Sequence, residues 1–140
     1  MDNIEHSHTP DMDPYLEKDR NLIETIAAQY NFADPNSPKR FSSGQINRVY
    51  EIDGRFILKV KGERVGGLDL FNWQGDILNQ IHELGGKVPA VLGHDNIGDQ
   101  EYLLMEKVPG KILSHDWLNL SEAQRESLTH QLAEQLKIFH

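Results

Sequence analysis

The chain has 140 residues, 38% of them hydrophobic, with a formal net charge of −8, enough for one core or one and a fraction. The acidic balance, with no dominating Lys/Arg cluster, argues against nucleic acid as a partner. The absence of cysteine excludes disulfide and thiolate chemistry and fits the cytoplasm.

No apolar run approaches the ~20 residues that cross a bilayer, and the acidic, polar start at Met1 does not open a secretory signal, so no membrane partner is expected. Residues 1–13 read as a loose tail. His6, His8, Asp11 and Asp13 are ligand types, but with no further ligands nearby they read as solvated side chains, and no metal site is expected. Tyr15, Leu22, Ile23, Ile26 and Ala27 recur at helical spacing and predict a helix over 14–30, ended by Asn31 and a Pro-containing loop at 34–38. Two β-rich runs follow within 41–60, then a glycine-flanked loop over 61–67. A helix over 69–84 is stopped by Gly85 and Gly86. Strands are predicted over 88–92 and 100–105, joined by a polar turn over 93–99. Val108-Pro109-Gly110 breaks the pattern. A last helix over 121–140 starts on Ser121 as N-cap and carries Leu128, Leu132, Leu136 and Phe139 along one stripe. The order is helix, three strands, helix, two strands, connector, helix. Strands joined by short turns imply an antiparallel sheet, hence an α+β fold.

Asp53-Gly54 between β-rich runs signals a hairpin. Two registers fit. A two-residue turn puts Val49 opposite Leu58. A three-residue loop, Ile52 to Gly54, puts Val49 and Ile57 on one face, and alternation adds Lys59 to it. The second register pairs an apolar roof with an ammonium, which is what a nucleotide needs. Small residues at Ser42, Ser43 and Gly44 let backbone amides approach anionic oxygens. Against this, a strand lysine also serves simply to protect a sheet edge.

On the helix over 69–84, Leu70, Phe71, Ile77, Leu78 and Ile81 form an apolar stripe with Gln74 at its centre. A polar group there needs a partner, and Lys59 and the sheet backbone are the two options. Downstream, Tyr102 to Gly110 runs from an apolar strand into an extended segment whose backbone groups can read the edge of a planar heterocycle, or simply end the strand at a turn.

Together these pieces resemble the N-terminal lobe of the aminoglycoside phosphotransferase-like small-molecule kinases, a family that includes the choline, homoserine and fructosamine kinases. The resemblance rests on Ser-Ser-Gly-x-x-Asn-x-Val-Tyr (42–50), Phe-Ile-Leu-Lys (56–59), Val-Pro-x-Val-Leu (88–92), Leu-Leu-Met-Glu-x-x-x-Gly (103–110) and the closing Leu-Ala-Glu-Gln-Leu-x-x-x-His (132–140). It implies a kinase-like lobe over 14–108, with a hinge exit and the first helix of a second lobe over 109–140. It implies ATP or GTP with Mg²⁺ as cofactor, and a small-molecule hydroxyl as acceptor in a full-length protein. Ser43, Gly44 and Asn47 then cover the phosphates, Val49 and Ile57 roof the adenine, and Lys59 contacts the α- and β-phosphates. Met105 backs the base, and the Glu106 carbonyl and Val108 amide bond its edge.

Two departures stand out. The helix position facing the strand lysine, where the family usually has glutamate, aligns with Gln74, which can hydrogen-bond an ammonium without neutralising it. No His-x-Asp-x-x-x-x-Asn loop occurs: the tripeptides beginning at His94 and His115 have the wrong spacing, and the catalytic Asp is expected beyond His140. The expectation is therefore a truncated, inactive lobe. Leaving the 121–140 stripe in water forfeits about 5–10 kcal/mol, so that face is expected to meet a longer polypeptide, or a second copy in isolation. The alternative from another class is a non-catalytic kinase-like module for nucleotide sensing or protein interaction.

Overall fold

The computed structural model describes residues 14–34, 38–41, 46–62 and 70–140. The tail, Ser43 and Gly44 lie outside the described residues. The elements are α1 (Pro14–Tyr30), β1 (Lys39–Phe41), β2 (Arg48–Ile52), β3 (Phe56–Val60), α2 (Leu70–Glu83), β4 (Val91–Ile97), β5 (Gln100–Glu106), α3 (Leu113–Asp116), a 3-10 turn (Trp117–Asn119) and α4 (Glu122–Lys137). The strands form one antiparallel sheet in the order β1-β2-β3-β5-β4. The fold is α+β, as the order of elements predicts. Among the described residues no helix is long and apolar enough to cross a membrane.

Strand alternation gives this sheet two different faces. On one, Tyr50, Ile52, Leu58, Val60, Tyr102 and Leu104 are buried against α1, which contributes Leu22, Ile23, Ile26 and Ala27. These four recur at helical spacing and are the buried stripe of α1. On the other face, Leu103 and Met105 pack under Phe71 of α2, with Ile57, Leu78 and Val91 around them.

A buried ionic group crosses the first interface. Asp19 of α1 is fully buried. Its carboxylate accepts from Arg48 Nη2 at 2.9 Å and Nε at 2.5 Å, and from the Tyr50 hydroxyl. The hydrogen bonds it donates to Asp19 push the pKa of the Arg48 guanidinium further up from its ordinary value. Among the described residues no buried side-chain nitrogen or oxygen lacks a hydrogen-bond partner, which is the condition for burying such a pair.

Three elements differ from the pattern reading. The β2–β3 loop is Asp53-Gly54-Arg55, so Ile52 stands opposite Phe56 and Val49 opposite Lys59, neither of the two registers read from sequence. Asp53 (φ 55°) and Gly54 (φ 64°) are both left-handed, and Arg55 N–H donates to the Ile52 carbonyl at 3.2 Å. Asp53 tolerates this because its carboxylate is held by the Arg55 guanidinium at 2.6 Å and the Ala33 amide at 3.1 Å. The Arg55 contact also keeps that carboxyl below the usual carboxylate range. Arg55 takes up one residue more than a two-residue turn. The parity is that of the three-residue alternative, and Val49, Ile57 and Lys59 do share a face.

Secondly, β4 begins at Val91 and runs through His94, Asp95 and Asn96, residues that read as turn; the turn itself is only Gly98-Asp99. An edge strand needs only its backbone to pair, so polar side chains do not end it. Thirdly, α3 and the 3-10 turn interrupt the connector. Ser121 caps α4 as expected, and forms a capping box: Gln124 N–H donates to its hydroxyl at 3.2 Å, and its own N–H donates to Gln124 Oε1 at 2.9 Å.

The shared core predicts a large response at Leu104, which is fully buried between β3 and α1. Leu104→Ala is expected to cost about 2–5 kcal/mol, read as a lower urea midpoint.

Candidate functional site

The face of the sheet opposite α1 is only half covered by α2. Paired residues point the same way, so one row across the strands reads Phe41, Val49, Lys59, Leu103, His94, and the next reads Glu51, Ile57, Met105, Val91. Helix α2 covers the β5 side of this face. Over the β1–β3 side the chain leaving β5 turns back as an extended segment and encloses a cleft of about 630 Å³. Its walls include Phe41, Val49 and Ile57 on the sheet, Met105 at the back, and Glu106, Val108 and Ile112 on the returning segment.

Local chemistry fixes that segment. Glu106 N–H donates to Ala90 at 2.9 Å and Lys107 N–H to Arg55 at 2.8 Å, so β5 stays tied to its neighbours as it leaves the sheet. The Lys107 ammonium then reaches Glu51, on the sheet face of the cleft, at 3.0 Å. Beyond it the Val108 amide has no hydrogen-bond partner among the described residues, and Val108 is exposed. The cleft thus offers apolar walls and an unused backbone donor at one edge.

Lys59 lies one pleat beyond Ile57 on the same face. It is half-buried, and burial lowers its pKa from the ordinary lysine value. No carboxylate lies within ion-pair distance of its ammonium among the described residues. Glu101, the buried carboxylate nearest along the ladder, is already engaged: it accepts from Phe71 N–H at 2.8 Å and meets Lys61 at 3.2 Å. Glu101 therefore anchors the start of α2, and among the described residues no carboxylate pairs with Lys59.

Of the residues singled out from sequence, Val49, Ile57, Met105, Glu106 and Val108 line the cleft together. Asn47 does not; its Oδ1 accepts from Gly62 N–H at 3.2 Å and ties the start of β2 to the end of β3. Gly62 is required there, because an added Cβ would lie 1.8 Å from the Ile46 carbonyl oxygen. Gln74 is a correction. The buried centre of the α2 face is Phe71 and Gly75, not Gln74, and no hydrogen bond joins Gln74 to Lys59 among the described residues. The cause is Gly75, whose missing Cβ lets the His94 ring approach so closely that a methyl group would stand 2.4 Å from it. Glu51 and Lys107 were missed. The parity that places Val49 in the cleft also places Glu51 there, but nothing in the sequence pairs it with Lys107.

A scan of family models matches residues 37–140 to the phosphotransferase enzyme family, and the chain belongs to that family. The match begins after α1. No curated protein sequence matches the chain. Among solved structures, the streptomycin–ATP ternary complex of APH(2″)-IIa is 20% identical with a TM-score of 0.61, and covers 86% of this chain. The ADP-bound aminoglycoside phosphotransferase APH(2″)-Ib is 21% identical with a TM-score of 0.59, again over 86% of this chain. The chain spans 39% of the length of each. The likeness shows that the fold is the kinase-like fold of these phosphotransferases.

The partial burial of Lys59 has a measurable sign. Its folded pKa lies below the unfolded one, near 10.5. Between the two values the unfolded chain holds more protons, so stability rises with pH there, and the whole cost is present at pH 7. Lys59→Met removes that cost. It is expected to raise the thermal midpoint of the ligand-free protein at pH 7, with the gain shrinking as pH approaches 10.5; a lower midpoint at pH 7 contradicts the assignment.

Proposed function

We propose that the chain is the nucleotide-binding lobe of an ATP-dependent phosphotransferase that acts on a small-molecule hydroxyl. The observation that carries this reading is the shared face of Val49, Ile57 and Lys59 opposite the returning segment 106–108. A purine fits between the apolar walls, with the Val108 amide at its edge. A phosphate chain running past Ile57 meets the Lys59 ammonium and relieves its missing counter-charge. The cleft's volume is in the ~300–1,000 Å³ range of small-molecule sites. The ATP and ADP in the two similar structures support the same ligand class. Ser43 and Gly44 complete the phosphate side in this reading.

Phosphoryl transfer also needs a metal and a positioned acceptor. Among the described residues no three His, Asp or Glu side chains converge to hold a metal ion. The groups that position the acceptor hydroxyl, and the metal ligands, belong, in this proposal, to the rest of a longer protein. The exposed Leu132 and Leu136 of α4, with Phe139 just beyond it, support a packing partner on that side.

Thermal-shift titration tests the reading. ATP·Mg or GTP·Mg is expected to raise the midpoint by mass action on the native state, and Lys59→Met to blunt that rise. The same 140-residue chain is expected not to turn over ATP. A nucleotide-independent midpoint, or a Lys59→Met protein with an undiminished shift, removes the basis for the proposal.

A further inference from the structure

The roof of the cleft is built from the weak side of the sheet. β1 is an edge strand of only three residues, and β2 beside it carries Val49 and Glu51 on the cleft face. On the cleft face β2 is tied to the returning segment by the Glu51–Lys107 ion pair. On the opposite face the first two turns of α1 hold it. Arg48 and Tyr50, the residues flanking Val49, both grip the Asp19 carboxylate. The Tyr15 carbonyl oxygen lies 3.1 Å from the Tyr50 hydroxyl. The guanidinium of Arg40, on β1, stands 5.0 Å over the Tyr15 ring, and that of Arg48 stands 6.0 Å from it. In the later turns Leu22, Ile23, Ile26 and Ala27 enter the apolar core, and Tyr30 reaches Tyr102 at the far side of the sheet. The polar contacts to β1 and β2 thus come from the first two turns of the helix.

We propose that Asp19 is a positioning residue for the nucleotide cleft, acting through Arg48 and Tyr50 to fix the height and register of Val49. This rests on the nucleotide reading of the cleft. A residue whose two chain neighbours are pinned to one buried carboxylate cannot follow the roof outward. The apolar contact that Val49 offers a base is therefore set from the far side of the sheet. The same strand passes the constraint to Asn47, whose side chain meets Gly62 N–H and so joins the entry of β2 to the exit of β3.

The test separates this from plain stabilisation. Asp19→Leu combined with Arg48→Met replaces the pair by apolar side chains, an exchange that commonly leaves stability near or above the parent's. ADP affinity is measured by calorimetry on the full chain, and backbone amide exchange is followed at Val49 and Gly62. The expected result is an ADP affinity lower on the order of tenfold and faster exchange at both amides, at a thermal midpoint close to the parent's. Ile26→Ala, in the buried stripe of α1, is expected to lose stability without changing ADP affinity. Tyr50→Phe keeps the ion pair and is expected to shift both readouts the same way, by a few-fold. A double variant that binds ADP like the parent and protects Val49 equally overturns the proposal, as does an unchanged Tyr50→Phe protein if the double variant does not fold. A parent chain that binds no ADP refutes the nucleotide reading, and the Val49 exchange comparison still decides the clamp.

Discussion

An ammonium moved part of the way out of water is a standing cost unless a counter-charge meets it, and burial lowers the Lys59 pKa accordingly. Proteins usually meet this cost by pairing the charge or by leaving it at the surface. Among the described residues no carboxylate pairs with Lys59: Glu101, two residues along the facing strand, is committed to the α2 backbone and to Lys61, and no hydrogen bond joins Gln74 to Lys59. The charge lies one pleat beyond Ile57, on the face that forms the cleft wall. On the proposed nucleotide reading an anionic ligand supplies the counter-charge, and function explains a placement that stability alone would select against.

The two faces of the sheet have different neighbours. Residues of even number on β2 and β3 build the core with α1, while the odd ones lie on the other face, where Val49, Glu51 and Ile57 line the cleft and Lys59 stands one pleat beyond Ile57. Because the period is two, no one-residue slip is tolerated: it would bury Lys59 in the α1 core and expose Leu58. The buried Asp19–Arg48 pair resists such a slip, since it aligns at one register only. Specificity of register and geometry of the site are here the same constraint.

Much of this was legible in the residues. The helical spacing of α1 and the Ser121 cap follow from local rules that depend on nearest neighbours in sequence; the parity of Val49, Ile57 and Lys59 was one of two that the Asp53-Gly54 signal left open. What was not legible depends on contacts between distant segments. The β4 boundary was missed because an edge strand can carry His94, Asp95 and Asn96 without loss. The position of Gln74 was misread because a stripe calculated from side-chain hydropathy gives no weight to Gly75, which the His94 ring makes the centre of the interface. The partnerships Asp19–Arg48, Glu51–Lys107 and Glu101 with the α2 backbone join residues far apart in the chain, and no pattern within a single element announces them.

The most direct test is a titration of the Lys59 side chain itself, followed by carbon NMR of the labelled Cε with and without ADP. If the ammonium looks into a phosphate-binding cleft, it titrates below the ordinary lysine value in the free protein and moves upward once ADP supplies the missing negative charge. A Lys59 that titrates like a solvent-exposed lysine, and does not respond to ADP, would contradict the account.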